Sequence, residues 1–396
     1  MGHVQQIEER KMLLLPASLL LVCMLLPAVV RSYDNGLGRT PQMGWNSWNR
    51  YRCNVKEDVI KATADAFVAN NLAEFGYKYV NVDDCWAGSR DQDGFILPDP
   101  TTFPDFQGMI DYVHSKGLLF GLYSDAGKRT CAGRPGSLFH EVQDAQTYAK
   151  WKVDYLKYDN CNNDNITPKI RYPIMQMALN YTGRPIFYSL CEWGKDDPAT
   201  WAPAVGNSWR TTGDISDDWD TMINRADLNN QWWLYAGPYG WNDPDMLEVG
   251  NGGMTTTEYE THFSLWCLMK SPLLIGCDVI NMTSDTKRIL TNSDAIAVNQ
   301  DPLGIQGNKS FVNGTSEVWC VLLSHPTPGV AAILLNRGHE TTSITAYWWA
   351  LGIDPVGKYE VYDIWQHKIL GTMTESVTAT VPSHGVAFYR ITPTSQ

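Results

Sequence analysis

Positive charge is scarce in this chain. Its 396 residues carry 31 Lys and Arg against 43 Asp and Glu, a formal net charge of -12. An acidic body repels phosphate backbones, so nucleic acid is not an expected partner. The eight histidines are scattered and no C-x-x-C pair occurs among the nine cysteines, so no zinc site is expected. No G-x-S-x-G elbow is present, and Gly250-Asn251-Gly252-Gly253 lacks the Lys of a phosphate loop. There is no low-complexity tract, and an aromatic content of 12% is too high for a disordered chain. A neutral ligand fits this composition better than a phosphorylated one.

Long apolar runs are limited to one. Residues 12–30 are uncharged, preceded by Arg10 and Lys11 and broken by Pro16 and Pro27. That is the layout of a secretory signal peptide, expected over residues 1–31 and absent from the mature protein; a retained anchor is the alternative, since the run could span a bilayer. No membrane role is expected after cleavage. The sequons at Asn165, Asn180, Asn281, Asn308 and Asn313 fit passage through the secretory lumen and are candidate N-glycan sites. Cys23 lies in the signal, and the eight remaining cysteines allow 105 pairings, among which counting alone cannot choose.

At about 100–200 residues per domain, the length suits two domains or one large barrel with an appendage. One unit recurs through the first 300 residues. A short apolar or aromatic run ends in polar groups, and a helical stretch follows, most clearly at 55–71 and 109–116. The run endings include Trp45-Asn46, Val82-Asp83-Asp84, Ser124-Asp125, Tyr158-Asp159, Cys191-Glu192, Trp209-Arg210, Asn242-Asp243 and Cys277-Asp278, eight in all. Eight strand–helix units predict an α/β fold, a closed (β/α)8 TIM barrel over 32–300; a doubly wound open sheet is the runner-up. Beyond residue 301 short Val/Ile/Tyr/Trp/Thr-rich runs alternate with Gly, Pro and Asn, which predicts a C-terminal antiparallel β-sandwich over 301–396.

Barrel active sites lie at the carboxyl ends of the strands, and here nearly every strand ends in a carboxylate. About half of these acids are expected only to cap helices or brace loops. Lys157 and Arg210 are the candidate internal cations. Lys157 and Asp159, two apart on a strand, point to one side, and an ammonium beside a carboxylate lowers its pKa, as a nucleophile requires. Asp214 has no adjacent cation in sequence; partial desolvation would raise its pKa and suit a general acid. Two carboxyl groups pushed apart in this way belong to glycoside hydrolysis, although each pair could equally be a structural ion pair. Trp45, Trp48, Trp86, Trp193, Trp209 and Trp241 fall at or after strand ends, where one or two could stack on a sugar.

The segments Gly38 to Trp48, Val82-Asp83-Asp84-Cys85-Trp86, Leu156-Lys157-Tyr158-Asp159-Asn160-Cys161, Cys191-Glu192-Trp193 and Trp241 to Leu247 closely resemble the melibiase-type α-galactosidases, the retaining enzymes of glycoside hydrolase family 27. The resemblance implies Asp159 as nucleophile and Asp214 as acid/base. It implies Asp83 and Asp84 on the galactose 4- and 6-hydroxyls and Trp48 against the axial 4-hydroxyl side. Lys157 would lie near the nucleophile, Arg210 and Asp245 on the 2-hydroxyl side, and Tyr123 close to Asp159. Members acting on N-acetylgalactosamine place small residues after the Cys, whereas here Glu192-Trp193 after Cys191 is expected to fill that space, with the Glu192 carboxylate accepting from a 2-hydroxyl and all three residues at the substrate; this favours galactose. A β-L-arabinopyranoside remains a secondary candidate.

The barrel puts Cys53 and Cys85 in adjacent loops, and Cys131 and Cys161 likewise; the resemblance gives the same two disulfides. Gly206 stands where animal members carry a further Cys, so Cys191 is expected free beneath the pocket, and Cys267, Cys277 and Cys320 as thiols. The expected protein is a secreted or vacuolar/lysosomal exo-α-galactosidase, monomer or homodimer, with no metal and no cofactor. A noncatalytic galactose lectin and a calcium site in the carboxylate cluster are the rival readings.

Overall fold

The computed structural model describes residues 33–394. The expected signal segment lies outside the described residues. Eight short strands form one parallel sheet: β1 (Met43–Asn46), β2 (Tyr79–Asn81), β3 (Leu119–Asp125), β4 (Tyr155–Asp159), β5 (Phe187–Leu190), β6 (Ser208–Arg210), β7 (Trp241–Asp243) and β8 (Leu273–Ile275). Their order is β8-β1-β2-β3-β4-β5-β6-β7. The remaining gap, between β7 and β8, is spanned by a parallel bridge of Leu247 to Ile275, so the sheet curls into the expected barrel. The open-sheet alternative fails there.

These strands are buried on both faces, which is why their sequences read as short unbroken apolar runs. Gly44 lets β1 and β2 approach: a Cβ there would stand 2.4 Å from the Tyr79 carbonyl oxygen. The helices pack outside. α1 (Glu57–Ala69) buries Ile60, Ala64 and Phe67, and α2 (Phe106–Ser115) buries Phe106, Met109, Ile110 and Val113, both at helical spacing. Asp105 caps α2, accepting from the Gly108 N–H at 3.0 Å. α3 (Glu141–Lys150), α4 (Pro168–Tyr181), α5 (Trp219–Asn230) and α6 (Thr256–Leu268) continue the ring. A hairpin of Ala87–Arg90 with Ile96–Pro98, not foreseen, is inserted after β2.

The C-terminal strands are β9 (Asn308–Asn313), β10 (Ser316–Leu323), β11 (Gly329–Asn336), β12 (Thr342–Tyr347), β13 (Lys358–Asp363), β14 (Lys368–Thr374), β15 (Ser376–Val381) and β16 (Val386–Pro393). Six form one antiparallel sheet, β9-β10-β11-β16-β13-β14, and β12 pairs with β15 in a separate ribbon. On β11 the period-2 alternation is plain. Val330, Ala332 and Leu334 face the ribbon, while Ala331, Ile333 and Leu335 join the barrel's own core. An ion network adds to the junction: Asp227 of α5 and Glu317 of β10 share Lys309 and Arg337, with N–O distances of 2.7–2.8 Å.

Candidate active site

The loops after the strands line an open cavity on the carboxyl side of the barrel. Asp83 follows β2, and its Oδ2 accepts from Lys157 Nζ at 2.8 Å and from Asn46 Nδ2 at 2.7 Å. Asp84 beside it accepts from the Ala132 N–H at 2.8 Å and the Cys85 N–H at 2.6 Å; burial still raises its pKa. From β3, Tyr123 donates its hydroxyl to Asp159 Oδ2 at 2.9 Å, and the Asn160 N–H donates to Asp159 Oδ1 at 2.9 Å. Across the cavity, Arg210 Nη2 stands 3.1 Å from both Asp214 Oδ1 and Asp245 Oδ2. Asp245 also accepts from the N–H groups of Ile215 and Met246, each at 2.9 Å. Trp193 and Asp245 hold positive φ angles, 64° and 90°, a strained backbone of the kind that fixes functional side chains.

The electrostatics correct two expectations. Burial dominates at Asp159 and raises its carboxyl above the ordinary range, with Lys157 and the Tyr123 hydroxyl only partly offsetting it. The lysine's closest carboxylate is Asp83 rather than Asp159. At Asp214 burial also pushes upward, but Arg210, Lys157 and Arg225 outweigh it and the carboxyl ends below the ordinary range. The expected order of the two pKa values is therefore reversed, because Lys157 leans toward Asp83 while Arg210 pairs directly with Asp214.

A family model described as alpha galactosidase A matches residues 40–301, and one described as the alpha galactosidase C-terminal beta sandwich domain matches residues 313–391. The chain belongs to the melibiase family of α-galactosidases. An α-galactosidase of Coffea arabica is 58% identical over 362 residues, covering 91% of this chain and 95% of that one. Alpha-galactosidase 3 of Arabidopsis thaliana is 58% identical over 366 residues, covering 91% of this chain and 83% of its own. The crystal structure of α-galactosidase I from Mortierella vinacea superposes with a TM-score of 0.87 at 40% identity, over 92% of this chain and all of the other.

Within the family frame, most candidate residues converge. Trp48, Asp83, Asp84, Tyr123, Lys157, Asp159, Trp193, Arg210, Asp214 and Asp245 all line the cavity. Cys191 lies just beneath it, buried and free, with Arg210 Nη1 3.7 Å from its sulfur. Glu192 departs from expectation. It is fully buried and is not among the cavity-lining residues; its Oε2 accepts from the Asp196 N–H at 3.1 Å, and burial lifts its carboxyl to about 7. Trp45, Trp86, Trp209 and Trp241 are core residues, leaving Trp48 and Trp193 as the two at the cavity. Cys53–Cys85 and Cys131–Cys161 are disulfides, and Cys191, Cys267, Cys277 and Cys320 are thiols.

Sequence reading missed Asn49, Arg52, Ile215 and Met246 in the lining. Arg52 lies 5.3 Å above the Trp48 ring, and their four-residue spacing was the available signal. Asn49 is held by Glu248 Oε1 at 2.7 Å, a contact between loops 199 positions apart that no local pattern announces. Among the described residues, the one clustered set of metal-type ligands is Asp125, Cys131 and Cys161, and both sulfurs are committed to the disulfide.

Proposed function

We propose that this enzyme removes terminal, non-reducing α-D-galactose from oligosaccharides or glycoconjugates by double displacement, with Asp159 as nucleophile and Asp214 as acid/base. The supporting observation is the placement of both carboxyls in one cavity in opposite settings. Asp159 is buried and aimed by Tyr123 and Asn160, whereas Asp214 is exposed beside Arg210, where a leaving group would depart. In the first half-reaction Asp214 gives its proton to the glycosidic oxygen while Asp159 attacks C1. In the second, water attacks the galactosyl ester and Asp214 takes the proton. A low Asp214 carboxyl suits that second step, in which it must be anionic. The first step needs the proton on Asp214 and the charge on Asp159, a state that acid depletes at Asp159 and base depletes at Asp214, so its rate should pass through a maximum with pH.

Asp83 and Asp84 are assigned to the 4- and 6-hydroxyls, Arg210 and Asp245 to the 2-hydroxyl side, and Trp48 to the apolar face. Trp193 supplies the bulk against an acetamido group at C2, since Glu192 is turned into the protein. We place the catalytic barrel at 32–300 and the supporting β domain at 301–396, and assign the chain to the secretory lumen. The sequon asparagines Asn165, Asn180, Asn281 and Asn313 are exposed, in keeping with that route. Among the described residues no helix is long and apolar enough to cross a membrane. Proton NMR of a fresh digest tests the mechanism: α-galactose should appear first and mutarotate afterwards, and an initial β-anomer overturns double displacement.

A further inference from the structure

The outer face of the C-terminal sandwich carries aromatic surface that the reaction does not use. Trp349 is 58% exposed and Tyr347 44% exposed. Their rings are nearly parallel, 14° apart in plane with centroids at 6.0 Å, and Phe311 braces Trp349 edge-on at 5.5 Å. Neighbouring Trp348 is fully buried, so the exposure of Trp349 is local and not a consequence of loose packing. Large aromatic groups left in water together mark an interaction site more often than an accident.

The ribbon β12–β15 continues this surface with hydroxyls. Residues two apart on a strand share a face, so Ser343 and Thr345 point outward with Tyr347, while Ile344 and Ala346 are buried. Across the ribbon their partners are Thr380, Thr378 and Ser376. Thr345 and Thr378 are joined through their hydroxyls at 2.8 Å, and each keeps further hydrogen-bonding capacity. No charged residue interrupts these six positions. The result is about 13 Å of neutral, hydroxyl-lined strand leading to paired aromatic rings.

We propose that this strip binds a neutral hexopyranose polymer, with its C–H faces on Tyr347 and Trp349 and its hydroxyls on the Ser/Thr ladder. Aromatic faces favour the C–H side of a pyranose, and a neutral ladder offers nothing to an acidic polymer or a phosphate. Docking there would hold the enzyme on the material that bears its terminal galactose. The choice of a galactose-bearing polymer rests on the function proposed above, but binding needs no turnover and fails or stands separately.

Native affinity electrophoresis through gels containing galactomannan or unbranched mannan tests this. The wild-type enzyme should be retarded, and the double variant Tyr347→Ala/Trp349→Ala should bind about tenfold more weakly or worse. Trp349→Ala alone should fall between them, and Tyr347→Phe/Trp349→Phe should retain binding. All variants should match the wild type on p-nitrophenyl α-galactoside, with only polymer hydrolysis at low concentration reduced. The same gels run with Asp159→Asn keep binding separate from catalysis. An unretarded wild type, or a double variant retarded equally, overturns the proposal. So does sedimentation showing a wild-type dimer that the double variant converts to monomer, because the face would then join two copies of the chain.

Discussion

Raising the pH from 6.5 to 8 should weaken the fold. Asp125, at the end of β3, is fully buried, and burial followed by repulsion from Asp159 pushes its carboxyl up to about 8. Glu248, enclosed by Asn49 and Asn251, is likewise lifted to about 8, mainly by burial. In the unfolded chain both titrate near 4 and are fully ionised in this window. The folded state therefore binds two protons that the unfolded state does not, and stability falls as pH rises. At about 1.4 kcal/mol per group per pH unit, tapering as the groups half ionise near pH 8, the two contribute about 3 kcal/mol over this interval. His262, held neutral by burial, opposes this trend only below its ordinary pKa; within the interval Glu192, lifted to about 7, adds to the fall and Lys270, lowered to about 8 by burial, offsets a smaller part of it. Scanning calorimetry should show the melting temperature lower at pH 8 by roughly 5 °C. Asp125→Asn cannot accept from both the Gly127 and Cys161 N–H groups, so it should start less stable but lose about half of the pH slope. A melting temperature that stays level or rises toward pH 8, or an Asp125→Asn variant keeping the full slope, would refute the reasoning.

Asp214→Asn should slow hydrolysis of an alkyl galactoside by about 10²- to 10⁴-fold and of p-nitrophenyl α-galactoside much less, with azide restoring turnover; equal losses on both substrates would contradict an acid/base role. Lys157→Met removes the cation bonded to Asp83 and the main charge lowering Asp159, so stability should drop by about 3–5 kcal/mol and the acid limb of kcat/KM should move to higher pH. An unmoved limb counts against that coupling. Gly44→Ala would drive a Cβ into the Tyr79 carbonyl and should cost about 1–3 kcal/mol in urea unfolding; an unchanged midpoint would show that β1 can shift freely.

Much of this architecture was legible because buried parallel strands write a simple signature. Each barrel strand is a short apolar run stopped by a polar residue at the open face, and all eight endings were found on that basis. β10, β11, β12, β13, β15 and β16 showed themselves through Val/Ile/Tyr alternation. β9 and β14 did not. They are the two edges of the six-stranded sheet and lack a clean buried face, so no period-2 pattern marks them. The site residues were readable from motifs, but their electrostatics were not. Spacing places Lys157 beside Asp159; only the fold reveals Asp83 between loops as the closer acceptor. The same holds for Glu192, whose motif position says nothing about which way its side chain turns. α6 was hidden for a different reason: nearly every residue from Tyr259 to Leu268 is buried, so it has no polar stripe to give it away.

The burial of α6 on both flanks has a kinetic implication. One flank leans on the barrel and the other on β10, β11 and β16, so the wall of the catalytic unit is finished by strands made well after it. Until those arrive, a nascent chain carries an oily, half-covered helix, a target for chaperones and for self-association. The two halves are thus tied in birth as well as in melting, with the sandwich as cladding for the barrel's most apolar helix.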